Sequence, residues 1–171
     1  FDRFDVSADG ERVLFGYRPC KPEGYRIWEA RIGGGGLRQV TFAPDDEAER
    51  VERHSRYSQA TLEEDPRLYG HWTDDMHPCY LADGGIAFIS TRCQYGILCD
   101  PPDDFTTTVI YRMDADGGNM RMLTNSSVSE AAPVMLPDGR IMYTRWEYVD
   151  KGAVSVKCLW AMRPDGSGSE E

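Results

Sequence analysis

The chain has 171 residues, a formal net charge of −10 and a pI near 4.8. That length holds one to one and a half ordinary domains. The acidity argues against nucleic acid as a partner, because its phosphates would be repelled. No window reaches the ~20 apolar residues that a membrane-spanning helix needs.

Taken in order, the chain divides into antiparallel units at residues 1–42, 75–124 and 130–168, the last incomplete, with an irregular insertion at 43–74. Each unit opens on an Asp-Gly turn followed by an apolar run closed by an aromatic. Asp9-Gly10 precedes Val13-Leu14-Phe15, Asp83-Gly84 precedes Ile86-Ala87-Phe88, and Asp138-Gly139 precedes Ile141-Met142-Tyr143. Asp-Gly between apolar runs is a strong hairpin signal, since the favoured turn needs positive φ at its central residues. An aliphatic-aromatic pair follows in each unit, Ile27-Trp28, Ile110-Tyr111 and Leu159-Trp160, and then a Gly-rich turn. Two units share a fourth strand ending in threonine, Leu37–Thr41 and Met120–Thr124. Repetition at about 50 residues marks a propeller or an array.

The runs around Phe15, Phe88 and Tyr143 are apolar on both faces, as strands sandwiched between neighbouring sheets can be. The fold class expected is therefore all-β, a partial β-propeller of about three four-stranded antiparallel blades. A closed propeller needs about 4–8 blades. The chain is accordingly read as a fragment whose partners are other blades or domains of the same parent protein.

Within the insertion, Ala43-Pro44-Asp45-Asp46 is a candidate helix cap, Glu47 to Tyr57 is a charged run with few breakers, and Glu63-Glu64-Asp65-Pro66 reads as a turn. A long insertion between blades is a candidate contact loop. The segment His71-Trp72-Thr73-Asp74-Asp75-Met76-His77-Pro78-Cys79 gathers metal-ligand residue types at a spacing that matches no closed zinc motif. Asp75, His77 and Cys79, with His71, are the candidate ligand contacts, because a turn requires neither His nor Cys.

Five cysteines leave at least one unpaired within the chain. Cys93 and Cys99 lie in one short loop, where a disulfide is easily closed, and such a bridge favours an oxidising compartment. The alternative is two free thiols. Asp114 to Asn119 faintly resembles a calcium loop but lacks the downstream Glu, and a hairpin turn explains it better. Gly-x-Ser-x-Gly, HExxH and CxxC are all missing, as is the CxxCH of covalent haem attachment.

Ile110 to Asn119, followed by Arg121-Met122-Leu123-Thr124, resembles the PD40-type repeat of TolB-like propellers. Asp75-Met76-His77-Pro78-Cys79-Tyr80-Leu81, Ser90-Thr91-Arg92-Cys93, Tyr143 to Tyr148 and Met162 to Gly168 together resemble the propeller region of the hydrazine synthase alpha-subunit family. That resemblance implies a larger bacterial, extracytoplasmic and typically periplasmic parent. In the enzyme, c-type haems lie on segments beyond the propeller and a zinc ion lies near one haem. It makes Asp75, His77 and Cys93 candidate zinc ligands here, in competition with a Cys93–Cys99 bridge, and it implies redox-protein subunits as partners. With no CxxCH, these residues are not expected to bind haem.

The expected function is a non-catalytic scaffold or docking propeller of that type. The alternatives are a TolB-like protein- or peptide-binding module and the propeller gate of a prolyl-oligopeptidase-type serine peptidase.

Overall fold

The computed structural model describes residues 1–20, 23–65, 67–98, 105–148 and 156–171, without the Gln59 side chain. The first sheet is a meander of β1 (Phe4–Val6), β2 (Arg12–Tyr17), β3 (Arg26–Arg31) and β4 (Arg38–Gln39). Two helices follow, α1 (Glu47–His54) and α2 (Gln59–Glu64). The second sheet is β5 (Asp75–Tyr80), β6 (Ile86–Ser90), β7 (Val109–Met113) and β8 (Arg121–Met122). The third is β9 (Glu130–Met135), β10 (Ile141–Trp146) and β11 (Lys157–Met162). All pairings are antiparallel between sequence neighbours, the order expected of successive propeller blades.

The register repeats from sheet to sheet. Phe15 faces Trp28, Phe88 faces Tyr111 and Tyr143 faces Trp160 across the second and third strands. The repeated threonine plays the same part in both sheets that have it. Thr41 Oγ1 accepts the Ile27 N–H and Thr124 Oγ1 accepts the Ile110 N–H, each at 2.9 Å. Both bonds pin the end of a short fourth strand to the third.

Two apolar layers hold the sheets face to face. Leu14, Ile27 and Val40 of the first pack on Ile86, Phe88, Tyr111 and Met113 of the second. Ala87, Ile89 and Ile110, on the other face of the second, pack on Ile141, Tyr143 and Met162 of the third. Strand β6 is therefore buried at every position, which is why its sequence does not alternate. Burying a side chain such as Phe88 contributes about 1.5–3 kcal/mol.

Phe15 departs from the expected burial. Phe88 and Tyr143 are enclosed, at 0% and 1% exposed, whereas Phe15 is only half-buried. Its neighbour Leu14 takes the face packed against the second sheet, so Phe15 points the other way. There it meets the ring of Phe1 at 5.4 Å, and among the described residues no sheet covers that face.

The hairpin turns also lock one sheet to the next. Gly117 lies at φ +90° with its backbone against the Val40 carbonyl, and Gly166 lies at φ +91° against the Leu123 carbonyl. A Cβ at either position would come within 3 Å of that oxygen. Arg38 and Arg112 then donate to the carbonyls of Ala115 and Pro164 in the next sheet's turn, at 2.6 and 3.0 Å.

The insertion differs in one respect from its sequence reading. Helix α1 occupies the charged run, but residues read as a turn belong to α2, which ends only at Glu64. Ser58 caps it by accepting the Thr61 N–H at 3.2 Å, and Leu62, 1% exposed, anchors it.

Candidate functional site

The inner strands β1, β5 and β9 lie side by side, one from each sheet, and carry the residues singled out in sequence. In β5 and β9 the pairing slips by one residue, at His77-Pro78 opposite Phe88 and at Ala132-Pro133 opposite Tyr143. Proline has no N–H to give the ladder, and a bulge is where a sheet tolerates it. The residue ahead of each proline takes positive φ, His77 at 49° and Ala132 at 55°. Its N–H then turns out of its own sheet and needs an acceptor elsewhere.

The preceding sheet supplies that acceptor each time. The His77 N–H donates to Asp2 Oδ2 at 3.0 Å, and the Ala132 N–H donates to His77 Nδ1 at 3.1 Å. The Tyr80 N–H likewise donates to Asp5 Oδ2 at 2.8 Å. Because Nδ1 accepts, the imidazole carries its proton on Nε2, which lies 3.3 Å from Asp2 Oδ1. One histidine thus ties together strands from all three sheets. Burial pushes the Asp2 carboxyl up, but hydrogen bonds, chiefly from the side chain and backbone of His77, outweigh it and hold the group below its ordinary value.

This arrangement limits the chemistry. An Asp–His pair can serve as a general base only if its second nitrogen is free for a nucleophile. Here that nitrogen holds a backbone N–H, so the pair is committed to joining blades.

Asp75 is fully buried and equally committed. It accepts from Ser90 Oγ at 2.7 Å and from Arg92 Nε and Nη2 at 2.9 and 2.6 Å, and Arg92 Nη2 also reaches the Phe42 carbonyl at 2.6 Å. Cys79 is buried, and desolvation, with the nearby Asp5 charge, pushes its thiol up to about 12. His71 is not on the strands. It is buried beneath the insertion, with its ring 4.7 Å from that of Tyr69 and 6.0 Å from that of His54.

Cys93 is a free thiol packed against the first apolar layer, 3.5 Å from the Thr107 carbonyl, and burial raises it. Its expected disulfide partner Cys99 lies outside the described residues. The structure does not bring Asp75, His77 and Cys93 together as ligands: among the described residues no three His, Cys, Asp or Glu side chains are placed to hold a metal ion. Their donor atoms are turned to Arg92, to Asp2 and Ala132, and to Thr107. They do not fit a zinc site.

A second polar cluster roots the insertion. Arg26 forms a two-pronged pair with Glu47, at 2.9 and 3.1 Å, and also donates to the Thr73 carbonyl. Glu47 Oε2 accepts the Thr73 N–H at 2.6 Å, and Arg50 donates to the Thr73 hydroxyl. Sequence reasoning missed Asp2, Ala132, Arg92, Arg26 and Glu47. For the bulges a signal existed: Pro78 and Pro133 stand at the same distance ahead of Asp83 and Asp138. For the ion pairs, which join residues 17 and 21 positions apart, there was none.

Beside the clamp, β1, β5 and β9 border an open groove of about 400 Å³, edged by Phe4, Val6, Tyr80, Val134 and Met135. Among the described residues no helix is long and apolar enough to cross a membrane.

No protein-family model matches the chain, and no curated protein sequence does. Solved structures do. A protein named as a TolB, from Agrobacterium tumefaciens, aligns over 97% of this chain and 46% of its own, at 17% identity and a TM-score of 0.63. TolB from Acinetobacter baumannii aligns over 98% of this chain and 31% of its own, at 16% identity and 0.55. Hydrazine synthase from Kuenenia stuttgartiensis aligns over 97% of this chain and 24% of its own, at 17% identity and 0.67. The chain thus spans less than half the length of each of these structures. At such identities the likeness is one of fold, and with the three sheets in meander order it shows the chain to have the fold of a partial β-propeller.

Proposed function

We propose that this chain is the non-catalytic scaffold and docking portion of a bacterial extracytoplasmic protein resembling the hydrazine synthase alpha subunit. The observation that carries the reading is the Asp2–His77–Ala132 clamp. The side chains of the inner strands that could do acid–base or metal chemistry are spent on joining blades. Asp75 and Cys79 are consumed or buried in the same way. Redox chemistry in such a parent belongs to haem-bearing segments or subunits that the propeller positions, and its compartment is the periplasm. The inner-strand groove supports a second reading, a TolB-like module that holds a peptide.

The test is purification of the full-length protein from the periplasmic fraction, followed by haem staining and labelling with a fluorophosphonate probe. The expected result is a haem-bearing polypeptide that is the parent itself or co-elutes with it, and no covalent label. A labelled serine on the parent would replace the scaffold reading with a peptidase gate. Absence of both haem and label would favour the peptide-binding module.

A further inference from the structure

We propose that the groove between the two helices of the insertion docks a peptide segment of a partner protein in which an apolar side chain is flanked by Lys or Arg. The groove has a volume of about 520 Å³ and runs between α1 and α2. Its floor is Trp72 and Leu62, only 8% and 1% exposed, and its walls include Ala48, Val51 and Tyr57. Such a surface suits an apolar anchor.

The charge of its lining selects the flanking residue. Among the described residues, the charged side chains bordering the groove are the carboxylates Glu47 and Glu52, with no Lys or Arg. Glu47 is neutralised by Arg26 and Arg50. Glu52 is exposed on α1, where it faces no such cation among the described residues, so its charge is available to a ligand. Tyr57 and Trp72 line the same groove as that carboxylate, and aromatic and carboxylate groups in one groove favour an ammonium or guanidinium group. The surrounding field agrees, because carboxylates outnumber arginines between residues 45 and 65 in a chain of net charge −10.

The groove rests on a rigid base. Glu47, Arg26, Arg50 and Thr73 bolt α1 to the first sheet, so the walls are in place before a ligand arrives. The inference goes beyond the scaffold reading. A parent of any chemistry leaves it standing, and its failure would leave the haem and labelling results untouched.

The test is fluorescence anisotropy of the whole chain with a labelled, capped tetrapeptide, lysine-leucine-phenylalanine-lysine. The control replaces both lysines with glutamate. The lysine peptide should bind and the glutamate peptide should not. Glu52→Gln should weaken binding about threefold to fivefold, the upper part of the range for one exposed ion pair. Val51→Lys, a change at a half-exposed helix position, should weaken it more than about tenfold by placing a cation in the groove. Glu52→Lys should bind the glutamate peptide instead. Circular dichroism on each variant establishes folding, and Glu52→Gln, at an exposed site, keeps the test valid if Val51→Lys does not fold. Equal binding of the two peptides, no binding of either, or unchanged affinity in Glu52→Gln and Val51→Lys would overturn the proposal. So would a dimer in light scattering that excludes the peptide, since the occupant would then be a second copy.

Discussion

His77 Nδ1 accepts the backbone N–H of Ala132 across the boundary between the second and third sheets, at 3.1 Å. The same side chain faces Asp2 through Nε2, and the backbone N–H of His77 donates to Asp2 Oδ2. His77→Ala therefore orphans the partly buried Ala132 N–H and removes Nε2 from Asp2 Oδ1, while the backbone N–H of residue 77 still donates to Oδ2. The expected loss is about 1–3 kcal/mol in urea unfolding. Asn tolerates the positive φ of this position and offers a shorter acceptor, so His77→Asn should lose less. Equal losses for Ala and Asn would show that the clamp contributes little beyond backbone conformation.

Glu130 opens β9 as Asp75 opens β5, but among the described residues it has no close ion pair. Burial pushes its carboxyl up, and the hydrogen bonds from Thr124 and the Ile110 N–H, with the charge of Arg145, only partly offset this. A raised folded-state value means that the folded protein holds the proton more tightly than the unfolded chain. The associated stability is then fully present below the ordinary value of 4.5 and is lost as pH rises through the folded value. Glu130→Gln, neutral at all pH and able to accept the same two hydrogen bonds, should gain on wild type as pH rises. Denaturant curves across that range check it, and a gap independent of pH would contradict it.

Gly117 and Gly84 separate backbone strain from contact between sheets. Both have positive φ, +90° and +85°, but a Cβ on Gly117 would lie 2.5 Å from Val40 O, whereas one on Gly84 meets nothing within 4 Å. Gly84→Ala should cost only the left-handed penalty, about 1–2 kcal/mol. Gly117→Ala should cost that and about 1–3 kcal/mol more for the clash. Similar melting temperatures for the two variants would mean that the turn is free to move away from the first sheet.

Phe88 and Phe15 occupy equivalent register positions in different surroundings. Phe88→Ala should cost about 3–5 kcal/mol, because the residue is sealed between two sheets with Tyr111 at 5.9 Å. Phe15→Ala should cost well under half of that, since one side of its ring is open. Equal costs would place another covering element over the first sheet.

The contrast also shows what was legible in the sequence. Asp-Gly turns, apolar runs and terminal threonines are local signals, each set by backbone needs, so the strand order and the alignment of the units could be read directly. The burial of Phe15 could not, because it depends on a neighbour several strands away. The role of His77 was hidden for the same reason. Its residue type pointed to a ligand, while its partners, Asp2 and Ala132, lie 75 and 55 positions away. A histidine that serves as a hydrogen-bond acceptor and one that holds a metal look the same in one dimension.

The thiols and the zinc expectation can be tested together. Cys20 is exposed, whereas Cys79 is buried with its thiol pushed up to about 12, so the nucleophilic thiolate is almost absent there near neutral pH. Iodoacetamide on the native protein should therefore modify Cys20 first and reach Cys79 only on unfolding. Cys93, raised by burial and packed against the first apolar layer, should also react slowly. Zinc binding requires a deprotonated thiolate and a free imidazole nitrogen, and both His77 nitrogens are engaged. Added zinc should therefore leave the melting temperature of wild type and of Asp75→Asn/His77→Asn, each compared with its own metal-free form, unchanged. A zinc-dependent rise in wild type that the double variant lacks, with Cys93 protected from alkylation, would mean that these side chains exchange their present partners for the metal, and the structural assignment of the clamp would fall.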